Sequence, residues 1–257
     1  MTRGRKAGVR GPRTLSIDIG GSGVKALVLD ARGTPLTDRA YVATPRPATP
    51  SALLRAIETL VAPLGPYDRI SAGFPGVVVA GVTKTAPNLH PSWAGFPLAR
   101  TLARRLGKPA RVLNDAGVQG FGVIDGEGLE LVLTLGTGLG SALFYEGVYI
   151  PNLELAHHPF RKGHTYEEYL GLRALHRVGK QKWNRRVARA LEQIEPIWNP
   201  RRIYLGGGNA RHLKLTLPPH VRVTSNVAGL LGGIALWGQK RRGPARPRRP
   251  RSRRPRP

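Results

Sequence analysis

The 257-residue chain contains no cysteine. A disulfide framework, a thiolate zinc site and a catalytic thiol are thereby excluded, and several enzyme classes go with them. Acidic residues are scarce, with 15 Asp+Glu against 41 Lys+Arg and a formal net charge of +26. Long apolar runs are missing as well. A stretch such as residues 76–80 falls far short of the ~20 apolar residues a membrane span needs. The basic first 13 residues lack the apolar segment of a signal peptide. The expectation is a soluble cytoplasmic protein with no membrane partner. What the chain does have is 40% hydrophobic residues and enough length to bury a substantial core, as one large domain or two lobes.

The charge is unevenly placed. Residues 239–257 hold ten Lys/Arg and residues 1–13 hold five, neither with any acid. Removing these fifteen from +26 leaves +11 for residues 14–238. The last twelve residues alternate proline with like charges and have nothing apolar to anchor them, so a disordered tail is expected there, with a second at residues 1–13. The body is still basic, which points to an anionic substrate or partner.

Within the body, apolar strand-like runs end in glycine-rich turns. Residues 15–19 run into Asp18-Ile-Gly-Gly-Ser-Gly23, and residues 24–29 continue as a second strand; residues 37–43 can supply a third. Ser51 is a plausible N-cap for a helix over 52–62. Residues 70–74 form a strand entering Pro75-Gly76, residues 97–106 a helix stopped by Gly107, and residues 111–113 a strand ending on Asn114-Asp115. A second cycle follows: a strand over 129–135, the turn Gly136-Thr-Gly-Leu-Gly140, and another strand over 141–145. Helices are expected over 166–178 and 183–195, then a strand at 202–205 stopping at Gly206-Gly-Gly208, and a closing helix over 227–237. Sheets flanked by helices in two related lobes follow from this plan.

Backbone can approach a phosphate closely only where side chains are absent, and successive free N–H groups then form an anion-binding nest. Three such turns in one chain exceed coincidence. They do not fit the dinucleotide pattern, because strand-like residues 141–145, not a helix, follow Gly140, and no turn ends in Gly-Lys-Ser/Thr. Asp18 ends a strand beside the first turn, where a carboxylate can hold Mg²⁺ against phosphate; an Asx-turn is the structural alternative. Asp115 is open to two readings, a helix cap or a general base that takes a proton from a sugar hydroxyl during phosphoryl transfer, with Asn114 orienting the sugar.

The ordered set Asp18-Ile-Gly-Gly-Ser-Gly-Val-Lys25, Ala86-Pro-Asn-Leu89 with Trp93, Leu113-Asn-Asp-Ala116, Leu135-Gly-Thr-Gly-Leu-Gly-Ser141, Glu154-Leu-Ala-His157 and Gly206-Gly-Gly208 resembles the ROK family of sugar kinases and repressors. The likeness spans residues 15–237. It is nearest to the polyphosphate-using glucokinase branch, through residues 153–163, Tyr166-Glu-Glu-Tyr169 and residues 179–187. The resemblance implies a two-lobed α/β fold of the actin/hexokinase/Hsp70-like (RNase H-like) type, with lobes 14–113 and 114–238 and the active site in the cleft between them. It also implies transfer of phosphoryl from polyphosphate, and from ATP, to the 6-hydroxyl of glucose, with Mg²⁺ as cofactor and a homodimeric state.

Position by position, the resemblance makes Asp115 the catalytic base. Asn114, Glu154, His157 and Glu167 hold the sugar, and Pro75 and Gly76 line its pocket. Asp18, Gly20, Gly21, Ser22, Gly23 and Lys25 form the first phosphate site, with Asp18 the metal ligand. Gly136, Thr137 and Gly138 form the second, and Gly206, Gly207 and Gly208 the loop near a nucleotide's adenosine. Many family members carry a structural zinc on one His and three Cys; this chain has no Cys, so no zinc is expected. Lys84, Arg161, Lys162, Lys180, Lys182, Arg185 and Arg186 form a candidate polyphosphate groove, while Trp183 reads as a helix anchor. The alternatives are an ATP-only glucokinase or related hexose kinase, and a nucleic-acid-binding protein acting through the C-terminal tail. A repressor would need an N-terminal helix-turn-helix, for which the 14 residues before Leu15 leave no room.

Overall fold

Two five-stranded mixed sheets of the same plan carry the molecule. The computed structural model describes residues 11–224 and 228–238; the expected tail over 239–257 and most of that over 1–13 lie outside the described residues. Of the latter, Arg13 donates its backbone N–H to Asp68 at 2.7 Å.

The first sheet consists of β1 (Thr14–Ile19), β2 (Gly23–Leu29), β3 (Ala40–Ala43), β4 (Arg69–Phe74) and β7 (Ala110–Asn114), in the order β3-β2-β1-β4-β7. The first three pair antiparallel, and β4 and β7 add in parallel. The second sheet repeats this arrangement with β8 (Leu129–Leu135), β9 (Leu139–Tyr145), β10 (Val148–Ile150), β13 (Arg202–Gly206) and β14 (Val221–Val223), in the order β10-β9-β8-β13-β14. Two small hairpins, β5 (Val78–Val79) with β6 (Val82–Thr83) and β11 (Pro159–Arg161) with β12 (His164–Thr165), sit outside the sheets. The central parallel strands are buried along nearly their whole length because both faces are covered.

Helix α1 (Pro50–Val61) and α2 (Leu98–Leu106) cover one face of the first sheet, burying Leu53, Leu54, Ile57 and Leu102 against Leu15, Ile17 and Ile70. Thr49 caps α1 by accepting the Ala52 N–H at 3.3 Å, and Pro50 occupies the first turn; Ser51, the expected cap, lies inside the helix and accepts from Arg55 at 2.6 Å. Gly107 ends α2 at φ 68°, a left-handed backbone that suits glycine. The third strand is shorter than expected, since Thr37 accepts the Val28 N–H through its hydroxyl and leaves the ladder.

Helix α3 (Asp115–Phe121) starts directly on the end of β7. Helix α4 (Tyr166–Leu170) opens on a capping box between Thr165 and Glu168. Helix α5 (Leu172–Trp198) is two helical segments separated by Gly179 at φ 73°, ψ 162°, and it buries Trp183, whose indole N–H donates to Leu170 O at 2.8 Å. The closing segment is α6 (Ala228–Leu231), a single 3₁₀ turn and α7 (Ala235–Gly238), where one helix was expected. Although the sequence boundaries place it with the second lobe, this segment packs on the first sheet: Ser16 and Ser71 donate to Leu230 O and Gly233 O at 2.7 and 2.6 Å, and the Trp237 indole donates to Ser71. Those serines point away from α1 and α2 by the period of two, so the second face of the sheet is covered by the chain's last described turns. Among the described residues no helix is long and apolar enough to cross a membrane.

Candidate active site

A cleft of about 420 Å³ lies between the two sheets, lined by residues from both. Each sheet contributes the turn joining its first two strands. In the first, Gly20 N–H bonds Gly23 O at 2.9 Å; in the second, Gly136 N–H bonds Gly138 O at 3.0 Å. The turns meet across the cleft, Ser22 and Thr137 hydroxyls being 3.3 Å apart. The end of β13 supplies a third turn, where Asn209 donates its backbone N–H to Leu135 O and its side-chain amide to Gly136 O, both at 2.8 Å. Gly207 has φ 85°, and a side chain there would run into the Leu135 backbone. Close approach of the second and third turns therefore requires glycine.

Four carboxylates share the cleft: Asp18, Asp115, Glu154 and Glu167. Asp18 is the penultimate residue of β1 and pairs with Lys25 Nζ at 3.1 Å. Asp115 opens α3, where Asn114 is the cap, its Oδ1 accepting the Ala116 and Gly117 N–H at 3.0 and 3.3 Å and its Nδ2 donating to Gly76 O at 3.2 Å. Asn114 thus holds the turn, while Asp115 Oδ1 also accepts the Ala116 N–H at 2.8 Å and its carboxylate lines the cleft. Burial, then the charges of Asp18 and Glu154, push Asp115 up to about 7, against the Ala116 N–H bond that pulls it down. Glu154 is raised too, first by burial and further by Glu167, with His157 at 3.8 Å opposing.

Of the residues expected at the site, the structure gathers Asp18, Gly20, Gly21, Ser22, Gly23, Lys25, Pro75, Gly76, Asn114, Asp115, Gly136, Thr137, Gly138, Glu154, His157, Glu167, Gly207 and Gly208 around this one cleft. Gly206 is the last residue of β13 and does not line it. Glu167 reaches the Leu139 N–H at 3.4 Å, whereas its neighbour Glu168 is spent on the Thr165 capping box. The seven cations expected to form a polyphosphate groove are not in the cleft. Lys84 follows β6, Arg161 and Lys162 sit at the β11–β12 turn, and Lys180, Lys182, Arg185 and Arg186 lie on α5 beyond Gly179. Arg186 is already engaged, stacked 4.2 Å over Tyr169 and donating to its carbonyl at 3.2 Å.

Residues missed from the sequence include Asn88, packed against Gly21, and Gln119, Thr134 and Asn209. Gln119 follows Asp115 by four residues on α3, and that one-turn spacing was the available signal for it.

The ROK family profile matches residues 14–152, more than half of the chain. The chain belongs to the ROK family. Polyphosphate glucokinase of Mycobacterium tuberculosis is 35% identical to this ROK protein over 238 residues, covering 84% of this chain and 88% of that one. Its Mycobacterium leprae counterpart is 33% identical over 233 residues, covering 87% and 72%. Among solved structures, the inorganic polyphosphate/ATP-glucomannokinase of Arthrobacter sp. strain KM superposes with a TM-score of 0.80 at 31% identity, over 88% of this chain and all of that one. A ROK glucokinase of Streptomyces griseus, solved with glucose and AMPPNP, superposes at 0.75 with 22% identity, over 87% and 98%. The fold is accordingly that of the ROK sugar kinases, as expected from the motifs.

Proposed function

We propose that this ROK protein transfers the terminal phosphoryl group of inorganic polyphosphate to the 6-hydroxyl of glucose, giving glucose 6-phosphate and a polymer one unit shorter. The observation that carries the reading is the Asp115 carboxylate, held near neutrality in a cleft bounded by glycine turns and by Glu154, His157 and Glu167. A base is most effective when its pKa lies near the working pH. Relatives named as polyphosphate kinases of glucose and mannose support the donor and the acceptor.

In this reading glucose lies against Glu154, His157 and Glu167, with Pro75 and Gly76 closing its pocket and Asn114 fixing the turn that presents Asp115. Oxygen O6 attacks the terminal phosphorus, its proton passes to Asp115, and the bond to the bridging oxygen breaks, the shortened polymer leaving with the bonding electrons. With the Gly20 and Gly136 N–H groups spent inside their turns, those of the cleft-lining Gly21, Ser22, Thr137 and Gly138 would meet the charge that gathers on the transferred group. A Mg²⁺ ion bound with the donor would supply further charge neutralisation. Asp18 would hold it: no group of three or more His, Asp or Glu side chains converges among the described residues, and Mg²⁺ commonly takes one or two carboxylates with phosphate and water completing its shell. A cytoplasmic location and use of ATP as a second donor belong to the same proposal, the latter supported by the Arthrobacter enzyme's name.

The test is glucose 6-phosphate formation with Mg²⁺ and either polyphosphate or ATP as sole donor. Product with polyphosphate is expected. Product with ATP alone overturns the donor, and no product with either overturns the reaction.

A further inference from the structure

The third glycine turn of the cleft leads along the chain into a corner, outside the cleft lining, where positive side chains collect without acids. Gly207, Gly208 and Asn209 line the cleft, and the chain then makes a 3₁₀ turn over Ala210–His212, which puts Arg211 two residues past the lining. At a rise of about 2 Å per residue that is a few ångströms along the turn.

Asn184, buried on α5, ties the segment 212–214 to its own helix there. Its Nδ2 donates to Lys180 O and to His212 O, both at 2.9 Å, and its Oδ1 accepts the Lys214 N–H at 2.7 Å. Lys180, Arg211, His212 and Lys214 are thereby held at one corner. Arg211 Nε lies 3.3 Å from His212 Nε2, so the imidazole accepts there in its neutral form. Partial burial, then the charges of Lys180 and Arg211, hold His212 below its ordinary value.

Among the described residues, none of Lys180, Arg211 and Lys214 has a carboxylate within 4.0 Å, whereas Arg13, Lys25, Arg105, Arg201, Arg202 and Arg222 each have one. Like charges gathered by a buried amide and left without counter-charge repel one another, and the repulsion is relieved when an anion occupies the corner.

We infer that this corner is the subsite for the phosphates behind the one transferred, and that it favours a phosphate polymer over a nucleoside triphosphate. A polymer presents a negative charge at every unit along its length. A nucleoside triphosphate ends in a neutral purine, which at this corner meets cations; the one aromatic side chain lining the cleft among the described residues is Tyr41, against Gly23 of the first turn. The inference rests on the polyphosphate-kinase reading and names the residues that make the choice. It carries over only Lys180 from the cations singled out in the sequence; Arg211, His212 and Lys214 are added by the fold.

The test compares the wild type, the double variant Lys180→Ala with Arg211→Ala, and a control double variant, Arg100→Ala with Arg104→Ala, which empties a separate cationic groove between α1 and α2. Each is assayed with long-chain polyphosphate, with ATP and over a range of glucose. For the first double variant the KM for polyphosphate should rise about tenfold, the loss of one or two charge-assisted contacts. Its KM for glucose, its kcat and its KM for ATP should stay within about twofold, and the unchanged glucose KM reports an intact fold. The exposed single variant Lys214→Ala should give a smaller rise in the polyphosphate KM alone.

An unchanged polyphosphate KM in an active Lys180/Arg211 variant overturns the inference and leaves the kinase reading standing. So does an equal rise in the Arg100/Arg104 control. A wild type that makes no product from polyphosphate overturns both.

Discussion

Burial and the nearby Asp18 and Glu154 carboxylates that lift Asp115 to about 7 make its ionised form costly to the folded chain. In the unfolded chain the same group titrates near its ordinary value of 3.8. Between those values the folded state binds more protons, so stability falls as pH rises from about 4 to about 7 and the cost is fully present above 7. Asp115→Asn should therefore raise the unfolding temperature at pH 8 and leave it unchanged below about pH 4, as thermal denaturation at the two pH values would read. The same variant should lower kcat by about 10² to 10⁴, the usual contribution of a positioned base. In the wild type kcat/KM should climb with pH through about 7 as Asp115 loses its proton; a flat profile from 6 to 8 counts against its role. The pair Asn114-Asp115 was legible in the sequence as something at a strand end, but two readings were open because a cap and a base want the same residue types in the same place. What the fold adds is that the Asn114 amide is spent on Ala116, Gly117 and Gly76, which supports the proposed base role of Asp115.

At the scale of elements, strands ending in glycine turns were readable because a period of two breaks abruptly at glycine, and all three turns line the cleft. Helix starts were less so. Thr49-Pro-Ser51 offers two hydroxyl caps, and Pro50, without an N–H and with φ already suited to a first turn, decides for Thr49. That the closing segment packs on the first sheet was not legible, since hydrophobic pattern records that a face is buried and not which sheet buries it. Its contact with α3 is tight. A methyl group on Gly232 would fall on the Val118 carbonyl, and one on Gly233 on the Ser16 hydroxyl. Because α3 begins with Asp115, this packing braces the turn that carries the proposed base from behind. Gly232→Ala should cost about 1–3 kcal/mol, the range for overpacking, and appear as a lower urea midpoint with unchanged slope. It should also reduce kcat, since α3 must move to admit the methyl. A variant with wild-type midpoint and turnover would show that the closing segment is free to shift.

For the whole molecule, two kinds of basic surface have to be told apart. The sequence showed that fifteen of the 26 net charges lie at the termini, but not how the body's cations would be arranged, because residues adjacent in sequence were dispersed by the fold: Arg161 and Lys162 on a hairpin, Arg186 against Tyr169, Lys180 at the corner beside the third turn. In the proposed reaction polyphosphate enters the cleft with its end at Asp115, whereas the ten Lys/Arg of residues 239–257 come with no aromatic residue for base stacking, so any polyanion satisfies them. Deleting residues 239–257 should accordingly leave kcat and the glucose KM unchanged and the polyphosphate KM within about twofold, while retention on immobilised DNA is lost at moderate salt. The salt dependence should divide in the same way. In the truncated chain log KM for polyphosphate should still rise with log salt, since Lys180, Arg211 and Lys214 are retained, and that slope should flatten only when Lys180 and Arg211 are replaced as well. If truncation alone abolishes the slope, residues 239–257 rather than the corner gather the donor, and their charge takes part in catalysis.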